Sequence, residues 1–138
     1  MRTLIDTCLI FDWIVDPKGV DDSVWDILDD AENRLYISAE TVRELVVSFN
    51  NKNILNKHWK TAKEMLQCIE NDYGLEILPI TRNVVATYTG LQLNLDDDHK
   101  DPSDHIIISH AITEHLTLIS SDTRFPFYRN QGLDLIEY

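Results

Sequence analysis

Strand-like apolar runs and helix-like periods alternate along the chain. This alternation predicts an α/β fold with a mainly parallel central sheet flanked by helices. Residues 3–5 begin a first strand that ends near Asp6. Residues 23–33 read as a short helix carrying Val24, Ile27 and Leu28, and residues 35–37 as a short second strand. Ser38 can cap the helix that follows, in which Val42, Leu45, Val46 and Phe49 keep helical spacing. A further helix is predicted over residues 54–71, with Leu55, Trp59, Ala62, Leu66 and Ile69 on one stripe and Gly74 beyond its end. Residues 75–80 read as a third strand. Thr81 can cap the next helix, with Val84, Val85, Tyr88 and Leu91 inward. The polar residues 94–101 form a loop. Asp101-Pro102 is a strong helix start, because Asp caps and Pro suits the first helical position. The helix over 102–114 carries Ile106, Ile107 and Ala111, residues 116–120 a fourth strand, and residues 133–138 a fifth at an edge.

The 138 residues suffice for one domain, 1–138, with a genuine core. No apolar run approaches the roughly 18–20 residues that span a bilayer. Asp6 and Asp12 interrupt any apolar leader at the start, so a cytoplasmic protein is expected. Cys8 and Cys68 sit in apolar stretches and read as small buried hydrophobes, not as a disulfide pair or a zinc half-site.

The formal net charge of −12 argues, taken alone, against nucleic acid as a partner. Clustered carboxylates that hold divalent cations would reverse the local field. An acidic surface would also attract a basic protein partner, or simply aid solubility.

Three acids share a positional logic. Asp6 ends one apolar strand, Asp122 follows another, and Asp104 lies in the first turn of a helix after a loop. In open α/β sheets, sites form beyond the carboxyl ends of the strands. A carboxylate directly behind an apolar strand carries a desolvation cost unless it is paired or binds metal, which singles out Asp6. Asp104 also gains from the positive end of its helix. Glu44 lies on the polar face beside Thr41 and Ser48, where a cleft and bulk water are equally compatible with the wheel. Each acid also has a plain structural reading as a dipole partner, turn former or solvated residue. If the four converge, mutual repulsion raises some of their pKa values. Mg²⁺ or Mn²⁺ would relieve it, since hard cations favour oxygen ligands.

Other patterns carry less. His105, His110 and His115 recur every five residues and do not stack on one helix face for zinc. Asp96-Asp97-Asp98 lacks the Gly and terminal Glu of a calcium loop and reads as solvated. The four glycines form no phosphate-cradling loop. Trp13, Trp25 and Trp59 read as core or interface residues.

Four segments resemble the motifs of PIN-domain nucleases: Leu4-Ile5-Asp6-Thr7, Thr41-Val42-Arg43-Glu44-Leu45, Asp101-Pro102-Ser103-Asp104-His105 and Ser120-Ser121-Asp122-Thr123. Their order and spacing are similar to those of VapC-type toxins of prokaryotic toxin–antitoxin modules. The resemblance implies a PIN-like three-layer fold with Asp6, Glu44, Asp104 and Asp122 as the metal-binding catalytic acids. It also implies Mg²⁺- or Mn²⁺-dependent RNA cleavage leaving a 5′-phosphate and a 3′-hydroxyl, a homodimer, and a cognate antitoxin. Thr7 would sit beside Asp6 and help order a metal-bound water, and Ser120 and Thr123 match polar positions flanking the last acid. Many relatives carry Arg after the third acid. Here the residue is His105, so the resemblance carries no Arg contact to that position. A PIN nuclease of RNA processing, or an inert PIN-fold interaction module, are the alternatives.

Overall fold

The computed structural model describes residues 1–51 and 54–138. Its centre is a five-stranded sheet in the order β3-β2-β1-β4-β5, formed by β1 (Arg2–Ile5), β2 (Arg34–Ser38), β3 (Glu76–Leu78), β4 (Thr117–Ser120) and β5 (Asp134–Glu137). Every pairing is parallel, with Leu4 opposite Tyr36 on one side and Leu118 on the other. The helices are α1 (Thr7–Val15), α2 (Asp22–Leu28), α3 (Ala39–Asn50), α4 (Ala62–Asn71), α5 (Arg82–Thr89) and α6 (Pro102–Glu114).

Alternate strand residues feed two buried layers, as a sheet covered on both faces requires. Ile5, Ile37 and Ile119 pack with Leu9, Ile10, Leu45, Met65 and Ile69 on one face. Leu4, Tyr36, Leu118 and Leu135 pack with Ile107, Ile108, Phe125 and Tyr128 on the other. The result is the predicted α/β layering of a parallel sheet between helices, with an edge strand over residues 134–137 as expected. The caps predicted at Ser38, Thr81 and Asp101 are present: their side chains accept from the backbone N–H of Glu40, Val84 and Ser103 respectively.

Several expectations are corrected. Helix α1 lies where the hydrophobic pattern assigns no element. Its sequence, TCLIFDWIV, is apolar on most faces and rich in strand-favouring residues, so period gives no signal. The helix predicted over 54–71 is two elements, a 3-10 turn at Ile54–Lys57 and α4. Thr61 starts α4 afresh by accepting from Glu64 N–H, and the buried stripe of the helix is Met65 and Ile69, with Ala62 and Leu66 only half-buried. The helix predicted to reach residue 33 stops at Leu28, and the strand predicted over 75–80 spans Glu76–Leu78. Gly74 adopts φ +67°, a left-handed turn after α4 that favours glycine. Val85, predicted inward, is 45% exposed. A seven-residue 3-10 segment, Phe125–Gln131, was not signalled by any period, yet it supplies the buried Phe125 and Tyr128. Trp13 packs edge-on against Trp25 and Tyr73, in keeping with a packing role.

The connections run from β1 outward through β2 to β3 on one side, then resume at β4 on the other side of β1. The chain therefore reverses its direction of travel between β1 and β4. In open parallel sheets the crevice beyond the carboxyl ends at such a switch point is where ligands bind.

Candidate active site

A cleft of about 540 Å³ opens at that switch point, lined by Asp6, Thr7, Cys8, Glu44, Asp101, Asp104, Ser121, Asp122, Thr123 and Arg124. The four acids singled out from the sequence all line it, as do Thr7 and Thr123. Ser120 lies beneath it, fully buried.

Asp6 leaves the end of β1 at 4% exposure and also caps α1, accepting from Thr7 N–H at 2.8 Å. Ser120, at the end of the neighbouring β4, donates its hydroxyl to Asp6 Oδ2 at 2.6 Å, and Cys8 Sγ donates to the same oxygen at 3.2 Å. The parallel register of β1 and β4 makes this meeting inevitable, since Ile5 pairs with Ile119 and Asp6 N–H continues the ladder to Ile119 C=O. Ser120 Oγ also accepts from Asp122 N–H at 3.1 Å, so one hydroxyl braces two of the acids. Replacing it, Ser120→Ala, is expected to lower stability by about 1–3 kcal/mol, because a buried carboxylate and an N–H both lose a partner. Equilibrium unfolding in denaturant measures this.

Glu44 turns into the cleft, which the helical wheel left undecided. Thr7 donates its hydroxyl to Glu44 Oε1 at 2.7 Å and lies 2.9 Å from the buried Thr41 hydroxyl. Thr7 therefore braces Glu44 at the wall of the cleft it shares with Asp6. Thr123 is exposed at the rim.

Asp104 takes His99 Nε2 at 2.9 Å, and Arg124 Nη2 lies 3.7 Å from the same Oδ2. Asp122 is paired two-fold: Arg124 Nε reaches Oδ1 at 3.0 Å and Nη2 reaches Oδ2 at 2.7 Å. Among the described residues, a ring nitrogen of His99 and carboxylate oxygens of Asp104 and Asp122 lie within 4.8 Å of one another.

These surroundings divide the acids. Burial pushes Asp6 up, against the pull of its Ser120, Cys8 and Thr7 hydrogen bonds. Burial, with Asp104 and Asp101 nearby, raises Glu44 despite the Thr7 hydroxyl. Asp104 is raised to about 7 by burial and by the charges of Asp101, Asp6 and Asp122. Its place in the first turn of α6 does not outweigh these. Asp122 is held low, because the Arg124 hydrogen bonds and charge overcome its burial. Burial, helped by Arg124, lowers His99, so its contact with Asp104 is not an ion pair at neutral pH.

Sequence reasoning missed Arg124, His99 and the second role of Asp101 as a lining residue. Arg124 follows the last acid by two residues, a spacing that an Asp–Arg fork at a turn can use, but nothing in the sequence aims it inward. It brings a guanidinium to the site where His105 leaves the expected position without one: His105 is buried, with Nε2 unpartnered among the described residues. The cysteines are free and half-buried, not small core residues, and Cys8 faces the acids.

The family model described as PIN domain matches residues 3–131. No curated protein matches the chain significantly in sequence. Solved structures share the fold. VapBC2 from Rickettsia felis, bound to a DNA fragment from their promoter, superposes with TM-score 0.75 at 22% identity, over 99% of this chain and 98% of that one. DNA-bound VapBC from Salmonella typhimurium gives 0.71 at 18%, again over 99% and 98%. VapBC-1 from nontypeable Haemophilus influenzae gives 0.69 at 20%, over the same shares.

Proposed function

Because the chain belongs to the PIN-domain family, we propose that it is a divalent-metal-dependent endoribonuclease acting as the toxin of a toxin–antitoxin pair. The observation that carries this reading is the meeting of Asp6, Glu44, Asp104 and Asp122 in one cleft at the switch point of the sheet. Three of them are held above the ordinary carboxylate range. An all-oxygen carboxylate set that resists ionising together fits Mg²⁺ or Mn²⁺, because a hard cation restores the charged form that burial and repulsion disfavour. Asp6, Glu44 and Asp104 are the natural holders, with Asp122 beside them.

A bound Mg²⁺ or Mn²⁺ supplies a nucleophilic water at neutral pH and neutralises charge on a phosphodiester. The chain's own residues do the rest. Ser120, Cys8 and Thr7 N–H fix the Asp6 carboxylate, and Thr7 fixes Glu44. Asp122 anchors Arg124, whose 39% exposed side chain offers its remaining donors at the cleft mouth to an RNA phosphate. This guanidinium offsets part of the −12 net charge where the substrate must enter.

The whole of 1–138 would act as one cytoplasmic domain; among the described residues, no helix is long and apolar enough to cross a membrane. The VapBC relatives in structure, one described as a member of the VapBC family of toxin-antitoxin systems, support a cognate antitoxin, and the acidic surface suits a basic partner. A homodimer belongs to the same reading.

The test is direct. Purified protein should cleave RNA in Mg²⁺ or Mn²⁺, leaving 5′-phosphate and 3′-hydroxyl ends, and chelator should stop it. Failure to cleave any RNA of a varied panel at saturating Mn²⁺ overturns the nuclease. Induced expression should arrest growth and the neighbouring gene should relieve it; indifferent growth would remove the toxin role and leave RNA processing.

A further inference from the structure

The loop 94–101, in which Asp96-Asp97-Asp98 is exposed as the sequence suggests, delivers a wholly buried histidine to the site. Asn94 ties the loop to the 3-10 segment: its side-chain amide donates to Asp97 Oδ2 at 2.9 Å and to Arg124 C=O at 3.2 Å. Asp98 turns the backbone through φ +53°, and His99 N–H then closes on Asn94 C=O at 3.0 Å. The imidazole that results has no exposed surface. It is clamped edge-on by the rings of His105 and Tyr128 at 4.7 and 5.6 Å between centroids, with Phe125 at 5.5 Å.

Both ring nitrogens are used. Nδ1 lies 3.0 Å from the Tyr128 hydroxyl and Nε2 lies 2.9 Å from Asp104 Oδ2. The Tyr128 oxygen also accepts Asn94 N–H at 3.0 Å. These three contacts admit one arrangement that wastes no proton. Asn94 N–H donates to Tyr128, the Tyr128 O–H donates to Nδ1, and Nε2–H donates to Asp104. With the proton on Nδ1 instead, the buried Tyr128 hydroxyl would face two donors and have no acceptor for its own proton among the described residues, a situation proteins avoid.

We propose that His99 is a positioning residue, held by Asn94 and Tyr128 in its Nε2–H tautomer, that orients the Asp104 carboxylate to hold a divalent cation. Oδ2 is occupied by this donor, and Oδ1, which takes no hydrogen bond among the described residues, is left for the ligand. Supports of this kind commonly alter metal affinity or activity 10–100-fold. The role rests on the reading of the cleft as a metal-dependent nuclease site, but the tautomer does not.

Two measurements on the full chain test it. Imidazole ¹⁵N–¹H NMR of metal-free protein should place the His99 proton on Nε2, and Tyr128→Phe, which keeps the ring and removes only the hydroxyl, should mix the tautomers. Mn²⁺ calorimetry should show affinity reduced about tenfold in Tyr128→Phe and His99→Leu. His99→Gln, whose amide nitrogen can donate to the same carboxylate oxygen, should recover most of the loss. A merely structural His99 would lower the melting temperature in all variants and leave Mn²⁺ affinity unchanged, which overturns the proposal, as does a proton found on Nδ1. Should His99 variants fail to fold, Tyr128→Phe carries both readouts. Wild-type protein that binds no Mn²⁺ overturns the metal reading of the cleft, and with it the function of His99, while the NMR signal still decides the tautomer.

Discussion

Asp6→Asn is expected to lower metal-dependent RNA cleavage by more than about a hundredfold, beyond what is usual for groups that only support a ligand, while the metal-free protein melts at the same temperature or higher. The two outcomes have one cause. Asp6 is buried at the junction of β1 and β4, where desolvation disfavours its charge. An amide of the same shape keeps the acceptor for Thr7 N–H and removes that cost. Ser120 Oγ, which already accepts from Asp122 N–H, and Cys8 Sγ lose the oxygen to which they donate, and this offsets part of the gain. What the amide cannot do is supply a negative oxygen to a cation or to the chemistry beside it. Functional carboxylates held against their solvation preference trade stability for activity in this way. Cleavage assays, thermal melts in chelator and Mn²⁺ calorimetry on one preparation measure all three quantities. Cleavage within a few-fold of wild type would remove Asp6 from the site.

The second large effect is on pH. The metal-free protein is expected to lose an Asp104-dependent part of its stability as pH rises from about 5 to 7, and Mn²⁺ is expected to cancel that loss. Asp104 has a folded pKa of about 7, against about 3.9 for an unfolded Asp. Between these values the folded state holds a proton that the unfolded state has released. Its contribution is therefore full below the unfolded value and lost as pH rises through 7, up to about 4 kcal/mol over the whole window. Glu44 and Asp6, also raised, add in the same direction. Other groups work oppositely: Asp122, held low by Arg124, loses its contribution only in acid, and burial lowers His99, His105 and His110, so their cost below about pH 6.5 fades as pH rises. Because a cation binds the ionised form, its apparent affinity should tighten about tenfold per pH unit up to 7 and level off above. Thermal melts from pH 5 to 8.5, with chelator and with Mn²⁺, measure both curves. Asp104→Asn should flatten the chelator curve; an unchanged slope in that variant would show that another group drives it.

Much of the architecture is legible in the sequence, and for particular reasons. The strand cores Leu4-Ile5, Tyr36-Ile37 and Leu118-Ile119 are continuous apolar runs because both faces of the sheet are covered. Ser38, Thr81 and Asp101 announced helix starts because a cap is a local hydrogen bond between neighbours in sequence. The strand ends behind Asp6 and Asp122 pointed to the carboxyl edge of the sheet. Where the local signal was weak, the reading failed: α1 is apolar on most sides, and the turn that separates Ile54–Lys57 from α4 is set by the Thr61 cap within a period that otherwise runs on.

For the four carboxylates the division is similar. Residue type and chain position singled out Asp6, Asp104 and Asp122, because those depend on strand and helix ends that the pattern marks, whereas Glu44, in mid-helix, was carried by the motif resemblance. Which way Glu44 points, that Arg124 grips Asp122, that Cys8 faces Asp6, and that a loop 94–101 buries His99 against Asp104 were decided only by the tertiary structure. These contacts join residues on different elements, or turn a side chain toward a cleft that exists only once the sheet has closed. Local spacing carries no information about such meetings, since they follow from strand order and from the burial of whole faces.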